Sequence, residues 1–173
     1  MSFHCHAGGR GRVRRALSLL LVLLATTSAR ASRSDGFVVD ELRFRNAQGA
    51  ELRLGDLRGR VVVIYTFTST EPSAGEALVH LSRLDAESDC RLVVLALSLD
   101  PDPQDLARLL QSVRPRIAML LDGSGRLGAV LGVGRAPVAL VLDRGGEIRE
   151  RHELRGETDF GRLEEAVTEL LDE

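Results

Sequence analysis

Two nearly continuous apolar runs, Val61–Thr68 and Arg91–Leu99, constrain the fold of this chain more than any other feature. Neither run alternates between apolar and polar positions, as a strand with one face in water would. Such runs are typical of strands that are covered on both faces. An amphipathic helical pattern follows each run, one predicted to have Pro72 in its first turn and one at 103–113. Two successive strand–helix units predict an α/β fold with helices packed on a central sheet.

The other segments extend this arrangement at both ends. Segments 37–46 and 50–54 flank Ala47-Gln48-Gly49 and predict an N-terminal β-hairpin. The remaining predicted elements are a strand at 117–121, a short helix at 125–131, a hairpin of strands 138–143 and 147–152, and a closing helix at 158–171.

The first 31 residues have the composition of a secretory signal peptide. The basic stretch GRGRVRR precedes ALSLLLVLLA, an apolar run too short to span a bilayer comfortably. Ala29-Arg30-Ala31 then offers a small-residue cleavage site. We therefore predict a signal peptide at 1–31, a short linker at 32–36 and one domain at 37–173, in a protein that is periplasmic or secreted. An uncleaved N-terminal anchor is the alternative.

Charge is distributed unevenly along the chain, and this excludes some partners. The net charge is −2, but five of the 23 basic residues, and no acidic residue, precede Ser32. The remaining 18 basic residues, all arginines, face 25 acidic residues, a difference of −7. Nucleic acids and anionic membranes bind to basic faces. We predict neither as a partner once the signal peptide is removed.

The sequence contains two cysteines, Cys5 and Cys90. Cys5 would leave with the signal peptide, so the exported protein is predicted to hold one thiol and no internal disulfide. Cys90 follows a polar loop at the start of a predicted strand. We interpret it as a packed or half-buried thiol, because no helix N-terminus or basic cluster is predicted near it to activate it.

Several short motifs together resemble a known family. In chain order they are Gly49 with Leu54–Gly59, VVVIYTF before Pro72, Asp122–Gly125, Leu131–Val133, Ala136-Pro137 and LVLDRGGEI. Over 37–173 they resemble the redoxin branch of the thioredoxin-like superfamily, which includes TlpA- and ResA-type oxidoreductases, the alkyl hydroperoxide reductase/thiol-specific antioxidant family and SCO-type copper proteins. The resemblance implies a thioredoxin-like fold, with a central mixed sheet flanked by helices.

The positions that carry chemistry in these relatives hold no sulfur here. A C-x-x-C motif aligned on the strand and Pro72 falls on Glu71 and Ala74, and the peroxidatic cysteine of the antioxidant family also falls on Ala74. The SCO-type motif falls on Glu71 and Gly75, and Val133–Ala139 lacks the third copper ligand, a histidine. We therefore predict no catalytic residue, metal or cofactor. We interpret Glu71 as an anion at a helix N-terminus.

The polar residues around this turn have structural interpretations. Ser69, Thr70 and Ser73 are predicted to cap the following helix, and Ser73-x-x-Glu76 resembles a capping box. No histidine is placed to activate any of these hydroxyls. His80 is predicted on the outer face of that helix. His152 has no second histidine, cysteine or carboxylate at ligand spacing, so we predict no metal site there.

Ala136-Pro137 is the strongest remaining link to the family. The resemblance implies a cis proline beside the turn, where the preceding backbone pairs with an extended peptide. A groove retained there would be lined by Thr70, Glu71, Pro72, Ser73, Arg135, Ala136 and Pro137; the alternative is that the proline serves the fold alone. We predict a redox-inactive binding or scaffold module of the cell envelope, whose partner is an envelope protein or extended peptide. The alternatives are a thiol-disulfide oxidoreductase or peroxiredoxin-like antioxidant enzyme, and an SCO-like copper-handling protein.

Overall fold

The two apolar runs form neighbouring strands at the centre of a five-stranded sheet. The computed structural model describes residues 42–45, 51–133 and 137–173, which belong to the compact unit Val38–Glu173. The predicted signal peptide and linker lie outside these residues and stay predictions. The elements in chain order are β1 (Arg43–Arg45), β2 (Glu51–Arg53), a 3-10 turn (Leu54–Leu57), β3 (Val61–Phe67), α1 (Ala74–Glu87), β4 (Leu92–Ser98), α2 (Pro103–Val113), β5 (Ala118–Leu121), α3 (Arg126–Val130), β6 (Val138–Leu142), β7 (Ile148–Glu153) and α4 (Glu157–Asp172).

The large sheet is mixed, which confirms the predicted architecture. Its strand order is β5-β4-β3-β6-β7. Strand β3 runs parallel to β4 and antiparallel to β6, β4 runs parallel to β5, and β6 runs antiparallel to β7. Strands β1 and β2 form a separate antiparallel pair with Arg43 opposite Arg53. The predicted N-terminal hairpin is therefore confirmed, although its turn lies outside the described residues.

Both faces of the central strands are buried, as the apolar runs predict. All seven residues of β3 are buried. On one face, Tyr65 and Phe67 pack in a cluster with apolar residues of α1, α2 and α4. On the other face, Ile64 packs with residues of β1, the 3-10 turn and β6. Each fully buried large apolar side chain stabilises the fold by roughly 1.5–3 kcal/mol, so a polar position in β3 would be costly on either face.

Most element boundaries differ from the predictions by one or two residues, but β1 begins at Arg43, six residues after the predicted start at 37. Helix α1 begins at Ala74, after the predicted start at Pro72, and β5 begins at Ala118, one residue late. Among the described residues, no helix combines the length and the apolar character needed to cross a membrane.

The parallel strands β3, β4 and β5 end at the same edge of the sheet. Their pairing places Phe67 beside Ser98, and Ser98 beside Leu121. The segments that follow these strands therefore meet at this edge, where open α/β sheets place their ligand sites. The turn from β3 into α1 lies there.

Candidate functional site

Two successive hydrogen-bonded turns connect β3 to α1. The amide of Glu71 donates to the Thr68 carbonyl at 3.1 Å, and the amide of Ala74 donates to the Glu71 carbonyl at 3.1 Å. Pro72 thus occupies the second position of a four-residue turn, where its fixed φ is favourable and its missing N–H is not needed. The prediction that Pro72 lies in the first helical turn is wrong, since it belongs to the turn before the helix.

The predicted capping box is also wrong. Helix α1 has no side-chain cap, and the backbone of Ser73 is already helical, at φ −82° and ψ −9°. A capping side chain requires an extended backbone at that residue. The Ser73 hydroxyl instead donates to the carbonyl of Leu154 at 3.1 Å. This long-range contact ties the start of α1 to the segment that follows β7.

Leu154 also contacts Pro137, so the structure brings two of the predicted groove residues together. The Leu154 amide donates to the Pro137 carbonyl at 3.2 Å, while its own carbonyl accepts from Ser73. The β3–β6 ladder ends with the pair Thr66 and Val138. Pro137 directly precedes Val138 in the chain, so it lies beside the end of β3. Pro137 is buried. Arg135 and Ala136 lie outside the described residues, and their place in the groove stays a prediction.

The remaining groove residues differ in how far solvent reaches them. Thr70 and Pro72 are exposed, and Glu71 is half-buried. The hydroxyls of Thr70 and Thr68 lie 3.1 Å apart, so Thr70 does not cap α1 either. Thr70 and Pro72 are therefore the most exposed residues of this turn.

The positions that hold cysteine in the resembling families have side chains without redox chemistry. Ala74 is fully buried. A Cβ atom at Gly75 would lie 3.4 Å from a methyl carbon of Val113, so a side chain there would project against α2. Among the described residues, no group of three or more histidine, cysteine, aspartate or glutamate side chains could hold a metal ion.

Sequence reasoning missed a buried carboxylate beneath the turn. Asp100, which follows β4, is 7% exposed. Its carboxylate accepts from the Ser69 amide at 2.9 and 3.0 Å and from the Ser69 hydroxyl at 2.9 Å. The Ser98 hydroxyl donates to it at 2.7 Å. Ser69 is therefore an anchor of the turn to β4, and the prediction that it caps α1 is wrong.

A second buried carboxylate, Asp122, follows β5 and holds the neighbouring turn. Its Oδ2 accepts from the Gly128 amide at 2.8 Å, and its Oδ1 from the Ser124 hydroxyl at 3.1 Å. The signal for both carboxylates was available in the sequence, because each follows a strand predicted to be central and parallel. Their hydrogen-bond partners are protein groups, so Asp100 and Asp122 position the loops of this edge.

Tyr65 lies in β3 with its hydroxyl buried and without a hydrogen-bond partner among the described residues. The side chain is fully buried and its ring stacks on Phe67, with centroids 5.3 Å apart. Burial raises the pKa of Tyr65, and the charge of Glu71 raises it further. An unpartnered buried hydroxyl costs stability, because it has lost its hydrogen bonds to water.

Replacing Tyr65 by phenylalanine is expected to stabilise the protein by about 1–2 kcal/mol, because the unpartnered hydroxyl disappears while the ring remains. Denaturant unfolding of both proteins measures this difference in stability.

The parent should also lose stability as pH rises above about 10, because the unfolded tyrosine then ionises while the raised pKa keeps the folded one protonated. Tyr65 is the one tyrosine of the chain, so tyrosinate absorbance reports on it alone. A less stable variant would mean that the hydroxyl has a partner, such as a bound water.

The structure corrects the interpretation of Cys90. It lies exposed in the turn between α1 and β4, with φ +63°, and was predicted to be half-buried at a strand start. Cys5 lies outside the described residues, so the prediction that the chain without residues 1–31 holds a single thiol stays a prediction. Cys90 lies just before the first residue of β4. The β3–α1 turn lies near the other end of this strand, about 20 Å away along its length.

Both histidines beyond the predicted signal peptide have carboxylate neighbours that the sequence analysis missed. His80 has a side chain only 17% exposed and lies between α1 and α4, with Nε2 2.9 Å from Oε1 of Glu164 and its ring stacked on Phe160. The prediction of an outer-face histidine is therefore wrong. His152 Nε2 lies 2.8 Å from Oε2 of Glu150, two residues away on the same strand face. The prediction that it has no carboxylate nearby is also wrong.

Comparisons with known proteins establish the fold. No family model matches the chain, and no curated protein matches it. Among solved structures, it is similar to a candidate thiol:disulfide interchange protein DsbE from Chlorobium tepidum, with a TM-score of 0.72 and 21% identity over 77% of this chain and 94% of that one. The protein has a thioredoxin-like fold.

Two further structures agree with this fold. The thioredoxin domain of a thiol-disulfide oxidoreductase from Bacteroides vulgatus has a TM-score of 0.62 and 18% identity over 73% of this chain and 92% of that one. A secreted Mycobacterium tuberculosis disulfide oxidoreductase homologous to E. coli DsbE has a TM-score of 0.64 and 16% identity over 75% and 96%. The thioredoxin-like fold that the motifs implied is thus confirmed, and its structural neighbours are thiol-disulfide oxidoreductases of this type.

Proposed function

We propose that this protein is an exported, redox-inactive binding module of the cell envelope, which uses the groove beside Pro137 to hold an extended peptide of another envelope protein. The observation that carries the proposal is the β3–α1 turn. Its backbone forms a hydrogen-bonded turn at the edge of a thioredoxin-like sheet, but positions 71 and 74 hold a carboxylate and a methyl group. Neither side chain can form or cleave a disulfide.

The contacts around the groove support a binding role. Ser73, Leu154 and Pro137 are joined by two hydrogen bonds, and Ser69 is anchored to Asp100. The floor of the groove is therefore fixed while Thr70 and Pro72 remain exposed. A rigid, partly exposed backbone loses little conformational entropy when a peptide binds.

The second candidate is a thiol-disulfide oxidoreductase that uses Cys90, which the named activities of the structural neighbours favour. The position of Cys90 disfavours it. The residue lies at the opposite end of β4 from the turn, so it cannot act with Glu71, Ser73 or Pro137 on one substrate. An enzyme of this kind would need a separate site around the α1–β4 turn.

Disulfide exchange and photocrosslinking together test the proposal. The full-length chain is expected to reduce a fluorescent disulfide peptide no faster than a Cys5→Ser/Cys90→Ser variant, which contains no cysteine. Exchange that exceeds this control and disappears with Cys90 would support the enzyme. For binding, benzoylphenylalanine in place of exposed Thr70 should form a discrete adduct with an envelope protein in the producing cell. The same replacement of exposed Thr168 on α4 is the matched control, and equal adducts from both positions would contradict the groove.

A further inference from the structure

A cavity of about 300 Å³ lies on the outer side of α1, against the loop from α2 to β5. Its apolar lining includes Val79, Val113 and Pro115, and its charged lining is Arg83, Arg114 and Arg116. Among the residues that the structure describes, no aspartate or glutamate lines this cavity. None of these residues belongs to the groove beside Pro137, so the cavity is a separate feature of the surface.

The apolar part of the cavity is accessible to solvent. Val79 is 57% exposed, although its helical neighbours Ala77, Leu78 and Leu81 are fully buried. A single exposed apolar residue is ordinary on a protein surface. Here Val79 lies in a concave site beside arginines, where an apolar group of a ligand would lose contact with water.

The positive charges of the cavity are only partly paired with carboxylates. The side chains of Arg114 and Arg116 form no ion pair or hydrogen bond in the described part of the chain, and the Arg116 amide is held by the Ser82 hydroxyl at 3.1 Å. Arg83 lies 3.6 Å from Glu164 and 4.0 Å from Glu87. Beyond residue 31 the chain has 18 arginines and 25 acidic residues. A cavity with three arginines and no acid is therefore locally opposite in sign to the rest of the protein.

The dipole of α2 explains part of this arrangement. Arg114 is the C-terminal cap of α2, and cations near a helix C-terminus are favourable. This effect accounts for a positive charge at Arg114. It does not account for Arg83, which is on a different helix, or for the exposed Val79 between the two.

We propose that this cavity binds an acidic segment of a partner protein. The carboxylates of the segment pair with Arg114 and Arg116, and an apolar side chain packs against Val79 and Pro115. A second cavity of about 280 Å³ continues from Val79 and Arg83 to Glu76 and His80. Because Glu76 would repel an acid, the carboxylates of the segment lie at the Arg114 end.

Fluorescence anisotropy with a labelled Glu-Glu-Leu-Glu-Glu peptide tests this site on the full-length protein. Loss of two exposed charge pairs predicts roughly tenfold weaker binding for Arg114→Gln/Arg116→Gln. The matched control is Arg126→Gln/Arg162→Gln, which removes two exposed arginines of α3 and α4 that form no ion pair with any other described residue. It should bind within about twofold of the parent, a change that corresponds to less than one exposed charge pair.

Further measurements either support the proposal or overturn it. Weaker binding at high ionic strength, little binding of Gln-Gln-Leu-Gln-Gln, and a loss in Val79→Ser would support paired charged and apolar recognition. Equal weakening in both double variants would overturn it, because net charge alone would then drive binding. Displacement by inorganic phosphate as effective as that by unlabelled peptide would also overturn it, since the site would then bind simple anions. No binding of the acidic peptide would overturn it directly.

Discussion

Introducing cysteines at Glu71 and Ala74 is expected to restore disulfide exchange to this fold. The Ala74 amide donates to the Glu71 carbonyl at 3.1 Å, and such a turn brings the two Cα atoms within about 7 Å. Disulfides span Cα separations of about 4.4–6.8 Å. Position 71 precedes a 14-residue helix with no side-chain cap, so its N-terminus is available to stabilise a thiolate.

The measurement uses the Cys5→Ser/Cys90→Ser background, in which the two new cysteines are the only ones. In its reduced form, Glu71→Cys/Ala74→Cys should reduce a fluorescent disulfide peptide and be oxidised to an internal disulfide, which added glutathione reduces for the next cycle; the cysteine-free parent cannot do this. Lowering a thiol pKa from 8.5 to about 7 raises the thiolate fraction at pH 7 roughly 15-fold. Because a thiolate becomes a weaker nucleophile as its pKa falls, the alkylation rate at position 71 should exceed that of an exposed surface cysteine by less than this factor, roughly threefold.

A single Glu71→Cys variant is the informative control. It has an attacking thiol and no resolving one, so it should accumulate a mixed disulfide with the peptide where the double variant turns over. If the double variant stayed reduced, or if its thiols alkylated at the rate of a surface cysteine, the turn would lack the geometry of an exchange site.

Local sequence patterns were enough to predict the sheet and its main helices. A strand buried on both faces has a distinctive composition, and Val61–Phe67 has it. The start of helix α2 is likewise marked in the sequence. Pro103 lies in its first turn, and the Asp102 side chain accepts a hydrogen bond from the Gln104 amide at 2.8 Å. These features depend on residues within one or two turns of each other, so the sequence contains them directly.

The candidate site depended on contacts that the local pattern does not contain. Ser73 matched a capping box, but its hydroxyl pairs with Leu154, 81 residues later. Ser69 pairs with Asp100, 31 residues later. Both partners are determined by the strand order, which places β4 and β6 on either side of β3. The residue types at the turn are read directly from the sequence, whereas their hydrogen-bond partners required the tertiary fold.

Removing the Asp100 carboxylate is expected to cause one of the largest losses of stability that a single polar substitution can produce here. Asp100→Ala would leave the Ser69 amide, the Ser69 hydroxyl and the Ser98 hydroxyl without their acceptor. Each unsatisfied buried donor costs about 1–3 kcal/mol, and partial access of water to Ser69 moderates the sum, so we expect a loss of about 3 kcal/mol. For a chain of this size, Tm should fall by roughly 6–12 °C.

Asp102 provides a matched comparison two residues away. It is exposed, and its loss in Asp102→Ala removes one helix cap, at a cost of about 1 kcal/mol. Asp100→Asn keeps an acceptor oxygen for Ser69 and should fall between the two. In a double-mutant cycle, Asp100→Ala and Ser69→Ala should together cost less than the sum of their separate effects, because the second change removes a donor that the first left unpaired.

Crosslinking at Thr70 shows whether Asp100 positions the turn or only stabilises the fold. If Asp100 anchors the turn, Asp100→Ala should reduce both stability and the yield of the Thr70 crosslink, whereas a core substitution of equal cost, such as Leu170→Ala in α4, should reduce stability alone. Crosslink yields measured well below either unfolding transition make this comparison. Equal crosslinking in the two variants would mean that the turn keeps its conformation without Asp100. The groove would then be held by Ser73 and Leu154 alone.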